Sequence, residues 1–108
     1  MTKGTIVLVP FPFTDLSGQK VRPALILHNF KKAEDCIVAF ISSVKQKRSE
    51  LFDVPVQAST KNGLKADSVI KVGKIATLQK KIVLGELGTL EPIPLGEVSK
   101  KLKSLFEI

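Results

Sequence analysis

Short apolar runs alternate with short polar interruptions along this chain, and neither kind is sustained. Seven apolar runs stand out: Thr5–Val9, Val21–His28, Cys36–Ser42, Phe52–Gln57, Ser68–Val72, Ile75–Leu78 and Ile82–Leu87. They are four to eight residues long and draw heavily on Val, Ile and Phe, side chains that suit a pleated, half-buried surface. Between them lie turn formers such as Asp15-Leu-Ser-Gly, Glu34-Asp35 and Lys61-Asn-Gly. This spacing predicts a mainly β fold, a small barrel or sandwich. Only the tail changes period. From Pro94, Leu95, Val98, Leu102, Leu105 and Phe106 recur at helical spacing with Glu97, Lys100, Lys101 and Lys103 between them, which predicts a C-terminal amphipathic helix closing the barrel.

No repeat, low-complexity segment or linker interrupts the pattern, and 108 residues suit a single modest core. Residues 1–108 are therefore expected to form one domain. Charge adds a direction: 17 Lys and Arg oppose 10 Asp and Glu, a formal net charge of +7, which favours polyanionic partners. The excess is concentrated in residues 45–80, where eight basic side chains face three acidic ones. Cys36 is the only cysteine and His28 the only histidine. That pair can form neither an intramolecular disulfide nor the usual zinc ligand sets, and it suits a reducing cytoplasm. The run from Ile6 to Phe13 is broken by Pro10 and Pro12 and followed by Asp15, unlike a secretion signal. No apolar run approaches the roughly 18 residues a membrane span requires. A cytoplasmic protein with no membrane contact is expected.

One stretch invites chemistry. In "FPFTDLSGQKVRPALIL", Phe11 to Leu27, a polar glycine-containing loop delivers Arg22 to the opening of an apolar strand. Pro23 biases Arg22 towards extended geometry and removes a ladder donor, so this strand end is expected to be irregular or at an edge, its guanidinium facing the loop mouth. On the residues alone, pairing of Arg22 with Asp15 and a functional role for the cation both stay open.

The stretch "GTIVLVPFPFTDLSGQKVRPALIL" resembles the opening of the MazF/PemK toxin family, with its G-D/E-I-V strand, polar loop and R-P-A/V-L-V/I-L strand. The resemblance continues through "IVAFISS", similar to the family's third strand, and "GLKADSVIKVGKIATL", similar to its G-L/F-x-x-D-S-V-I segment and the strand after it. It implies an SH3-like small barrel of the CcdB/PemK type, a homodimer, and a toxin of a type II toxin-antitoxin system. The implied activity is a metal-independent, cofactor-free endoribonuclease. It would cut single-stranded RNA, including mRNA, through the RNA's own 2′-hydroxyl, leaving a cyclic phosphate and a 5′-hydroxyl. A cognate antitoxin protein would occupy the RNA groove.

Site residues follow from the same resemblance. Arg22 matches the family's catalytic arginine; its planar donor fork suits charge developing on a phosphorane, and it is too basic to serve as a proton acceptor. Ser42 matches a catalytic hydroxyl residue, usually threonine, with Ser43 beside it as a substrate contact. Gln19 and Lys20 stand where many relatives carry an acid and are expected to meet substrate, which leaves the general base unassigned. Asp15 reads as a turn residue. His28 lies about 20 Å from Arg22 at roughly 3.3 Å per strand residue, too far to share one phosphate within a subunit. Lys45, Lys47 and Arg48 would flank the groove and hold phosphates, or form a solvated charge run. Lys71 sits where some relatives place a basic helper.

Ser42 for threonine, Gly73 for aspartate and Ala76 for arginine depart from the family pattern and imply a weaker activity. Phe11 and Phe13 are available for base stacking but read as core residues, as does Cys36. Two alternatives come from other classes: a basic SH3-like barrel that binds nucleic acid, RNA or DNA, without cutting it, and a gyrase poison of the CcdB kind. The CcdB group ends in Trp-Gly-Ile, whereas this chain ends Leu-Phe-Glu-Ile.

Overall fold

The computed structural model describes residues 1–11, 20–43 and 50–108. In chain order the elements are β1 (Thr5–Phe11), β2 (Lys20–Asn29), β3 (Asp35–Ser43), β4 (Asp53–Val56), β5 (Ser68–Gln79), β6 (Gly85–Thr89) and the helix α1 (Pro92–Phe106). The strands pair antiparallel into one sheet in the order β4-β5-β3-β2-β1-β6, curled into a half-barrel. The mainly β fold with a C-terminal helix agrees with the pattern of the sequence.

The long apolar run on β2 explains why the sheet curls around two cores rather than one. Ala24 and Ile26 pack with Val7, Val9, Cys36 and Val38 on one face. Leu25 and Leu27 pack with Ile6, Ala39, Ile41, Ile70 and Val72 on the other, beneath Val98 of α1. A strand buried on both faces needs consecutive apolar residues, and Ala24 to Leu27 supplies them. Cys36 is fully buried, and desolvation raises its thiol pKa even though the neighbouring Lys80 opposes the shift. It is a core residue, as expected.

Three boundaries differ from the pattern. The runs Ser68–Val72 and Ile75–Leu78 are one strand, β5, because Gly73 and Lys74 form a bulge within it instead of a turn. The run from Ile82 to Leu87 divides: Lys80–Ile82 makes a 3-10 turn, Ile82 and Val83 pack on the Cys36 face, and pairing begins only at Gly85. The helix starts at Pro92, before Pro94, since proline has no N–H to lose at a first helical position. It ends at Phe106 and is capped by Glu107, which takes the left-handed conformation at φ 57° and donates its N–H to the carbonyls of Lys103 and Ser104.

The loop between β4 and β5 lies tightly against β6. Gly63 has φ +73°, and a Cβ there would fall 2.2 Å from the Leu87 carbonyl oxygen, so only glycine fits. Side chains lock the same loop to the helix start: the Ser59 hydroxyl donates to Glu91 at 2.6 Å, and the Asn62 amide donates to the other Glu91 oxygen at 3.0 Å. Asn62, fully buried, also accepts the backbone N–H groups of Ser59 and Leu64. Among the described residues, no helix is long and apolar enough to cross a membrane.

Candidate active site

Two strands bring polar residues to the end of the Cys36 face. On β2 the side chains that alternate with Leu25 and Leu27 are Ala24 and Ile26, and two residues before Ala24 comes Arg22. On β3, Val38 and Phe40 lie on that same face, and the next position in the alternation is Ser42. Ala24 pairs with Phe40, so each strand leaves the apolar cluster at the same level. Arg22 and Ser42 thereby meet at one edge of the core.

The third wall comes from β5. Phe40 pairs with Lys71, yet Ala39 pairs with Ile75, so one step along β3 corresponds to four along β5. Val72, Gly73 and Lys74 are the residues left over, and the strand bulges around them. The result is a cleft of about 570 Å³ lined by Arg22, Ser42 and Lys71, with Phe40 and Ile41 from β3 and Gly73, Lys74 and Ile75 from the bulge. Arg22 is half-buried, and its side chain has no ion-pair or hydrogen-bond partner among the described residues.

Lys71 differs. Its Nζ lies 3.0 Å from Oδ2 of Asp53, directly across the strand pair on β4. The Asp53 side chain is 3% exposed, and the same oxygen accepts the backbone N–H of Glu50 at 2.9 Å. This partner has no counterpart in the sequence reading. The one hint is compositional, an aspartate inside a strand-like run, where that residue is disfavoured.

Of the residues singled out in the sequence, Arg22, Ser42 and Lys71 come together. Lys20 is exposed at the start of β2, opposite Phe11, and Ser43 is exposed at the end of β3. Gln19, Lys45, Lys47 and Arg48, together with Asp15 and Phe13, lie outside the described residues, as does the side chain of Phe11. His28 stands at the far end of β2, edge-on to Phe30 with ring centroids 4.6 Å apart. Gly73 lines the cleft without a side chain, and Ala76 packs against the Cys36 cluster. Phe40, Lys74 and Ile75 were not singled out as site residues. The bulge that delivers the last two is legible only as a Gly-Lys interruption between two apolar runs.

A second cleft, about 560 Å³, runs between β4 and α1 and is lined by Asp53, Glu91 and Glu97, with Lys101. Size does not separate the two clefts; charge does. The Arg22 cleft presents cations without a carboxylate among its described lining, the arrangement a phosphate ester requires. Among the described residues, no group of three or more His, Cys, Asp or Glu side chains is placed to hold a metal ion.

Residues 2–106 match the family model described as PemK-like, MazF-like toxin of type II toxin-antitoxin systems. The chain belongs to this family. Solved members carry the same fold. The MazE-MazF structure from Deinococcus radiodurans superposes with a TM-score of 0.81 at 22% identity, covering 100% of this chain and 97% of that one. Mycobacterium tuberculosis toxin MazF-mt6 gives 0.77 at 21% identity, covering 96% and 97%. An endoribonuclease in complex with its cognate antitoxin, from a mycobacterial species, gives 0.78 at 15% identity, covering 100% and 96%. No curated protein sequence matches the chain. The cleft described above thus sits in a MazF-like half-barrel, at the end of its R-P-A-L-I-L strand.

Proposed function

We propose that this MazF-like chain is a cytoplasmic toxin endoribonuclease that cleaves single-stranded RNA at the Arg22 cleft. The observation that carries the reading is the convergence of Arg22, Ser42 and Lys71 on one cleft in a chain that matches the toxin family almost from end to end. In the reaction the RNA's 2′-hydroxyl gives up its proton as its oxygen bonds to the adjacent phosphorus, the P–O5′ bond breaks, and the leaving 5′-oxygen takes up a proton. The products are a cyclic phosphate and a 5′-hydroxyl end. Arg22 supplies a planar pair of donors to the oxygens on which charge accumulates, a contribution that grows as the phosphorane forms. Ser42 donates its hydroxyl to a non-bridging oxygen. Lys71 places a second cation on the opposite wall, and Lys74 extends that wall along the phosphate backbone. The family's chemistry needs neither metal nor cofactor, because the nucleophile belongs to the substrate.

Two partners follow from the same reading. A homodimer is supported by apolar surface at the helix end: Phe106 and Ile108 are 57% and 88% exposed and line a groove with Leu27, Ile37, Ile75 and Leu102. A cognate antitoxin is supported by the antitoxin-bound relatives, and a cationic cleft suits an acidic segment of such a protein.

The test is incubation of the purified protein, beside Arg22→Ala, with a long single-stranded RNA in EDTA, followed by mapping of cut sites and end groups. Discrete cuts with 5′-hydroxyl ends are expected, slowed by on the order of 10²–10³ in the variant, the usual loss for one such donor. Equal cutting by both proteins would reject the Arg22 mechanism. RNA bound without cleavage would favour a non-catalytic barrel.

A further inference from the structure

We propose that Asp53 is a positioning residue for the cleavage reaction, acting through Lys71. The inference rests on the endoribonuclease reading and concerns a residue outside the toxin motif. Lys71 is the last residue of β5 to pair with β3 before the bulge, and a lysine side chain there has four rotatable bonds with which to avoid the cleft. Among the described residues, one polar contact restrains it. Asp53, on the neighbouring strand and directly in register, holds Nζ at 3.0 Å.

The pair is suited to positioning in three respects. The Asp53 carboxylate is almost entirely buried and anchored by the Glu50 N–H, so the bond to Lys71 is made by a group that cannot swing away. An ammonium has three donors, and among the described residues Asp53 is the partner of one, which leaves two N–H bonds to meet phosphate oxygens or the leaving 5′-oxygen. The Lys71 side chain keeps 18% of its surface accessible and lines the Arg22 cleft, while the Asp53 side chain beside it keeps only 3%. The carboxylate is therefore shielded from an RNA anion that the lysine can still reach. A donor held in place at the moment charge develops contributes more than a mobile one, and a displacement of about 1 Å can cost on the order of 10² in rate.

A buried ion pair could instead serve the fold alone, so the experiment separates the two roles. Cleavage of one defined RNA is measured for wild type, Asp53→Asn, Lys71→Met and the double variant, with melting temperatures alongside. Asparagine keeps the size of aspartate and can still accept the Glu50 N–H. The expected result is a fall in kcat of about 10- to 10²-fold for Asp53→Asn with KM within about twofold, since the change alters the donor's placement more than its charge. In the double variant the rate should equal that of Lys71→Met, because Asp53 has nothing left to orient.

Wild-type kcat in Asp53→Asn overturns the proposal, and so do losses that multiply in the double variant. Should Asp53→Asn fail to fold, the double variant carries the test, because it leaves no buried charge unpaired. Slower cleavage by it than by Lys71→Met again overturns the proposal. Loss of cutting in Arg22→Ala together with undiminished cutting in Asp53→Asn would sink this inference alone, whereas absence of cutting by the wild type would sink the function beneath it as well.

Discussion

Glu91 shows how much a single surface carboxylate can organise. The hydrogen bond from Ser59 is the main cause holding its pKa below the ordinary glutamate range; it outweighs the opposing cost of burial, and Asn62 adds a lesser lowering. A carboxyl group whose pKa is depressed by folding stabilises the native state above its unfolded pKa. That contribution disappears as pH falls through the lowered folded value. Ser59→Ala should therefore destabilise the protein by about 1 kcal/mol near neutrality, and the gap from wild type should close on acidification. Thermal melts at a series of pH values check both statements. At this scale the sequence is informative about motif residues and silent about their partners. Arg22, Ser42 and Lys71 can be picked out because their neighbours in the chain form readable blocks. Asp53 cannot, because its meaning comes from a residue eighteen positions away on another strand.

Among the elements, strands and helix follow from hydrophobic period, whereas the features that make the cleft do not. Alternation indicates which residues of β2 and β3 share a face, which is enough to align Arg22 with Ala24 and Ile26. It gives no strand order, and a glycine followed by a lysine reads equally as a turn or a bulge. The loop that carries Gly63 is similarly opaque, since the Leu87 carbonyl that forbids a side chain there belongs to β6. Gly63→Ala should lower stability by about 2 kcal/mol or more through overpacking and a disfavoured φ. Gly85→Ala, where an added Cβ meets nothing within 4 Å, should leave the melting temperature nearly unchanged. Comparing the two variants by thermal denaturation separates a glycine demanded by its surroundings from one that merely occupies a strand.

Across the whole molecule, the excess of positive charge foretells a polyanion partner but not the site. Composition places the basic excess in residues 45–80, while the cation best placed for chemistry, Arg22, comes from outside that segment. If Arg22, Lys71 and Lys74 are the phosphate contacts, affinity for single-stranded RNA should fall with salt along a log–log slope of about −2. A much steeper slope in a titration would assign contacts to lysines beyond the cleft. The β5 bulge has a consequence of another kind. Pairing with β3 is regular on both sides of it, and Gly73 and Lys74 are exposed, so these two residues can change without shifting the register of the strand pairs on either side. Gly73 has room for a side chain, its added Cβ meeting only the Phe52 side chain at 3.9 Å. The half-barrel thus behaves as a chassis with an adjustable jaw, in which cleft shape can be altered while the frame that holds Arg22 and Ser42 stays as it is.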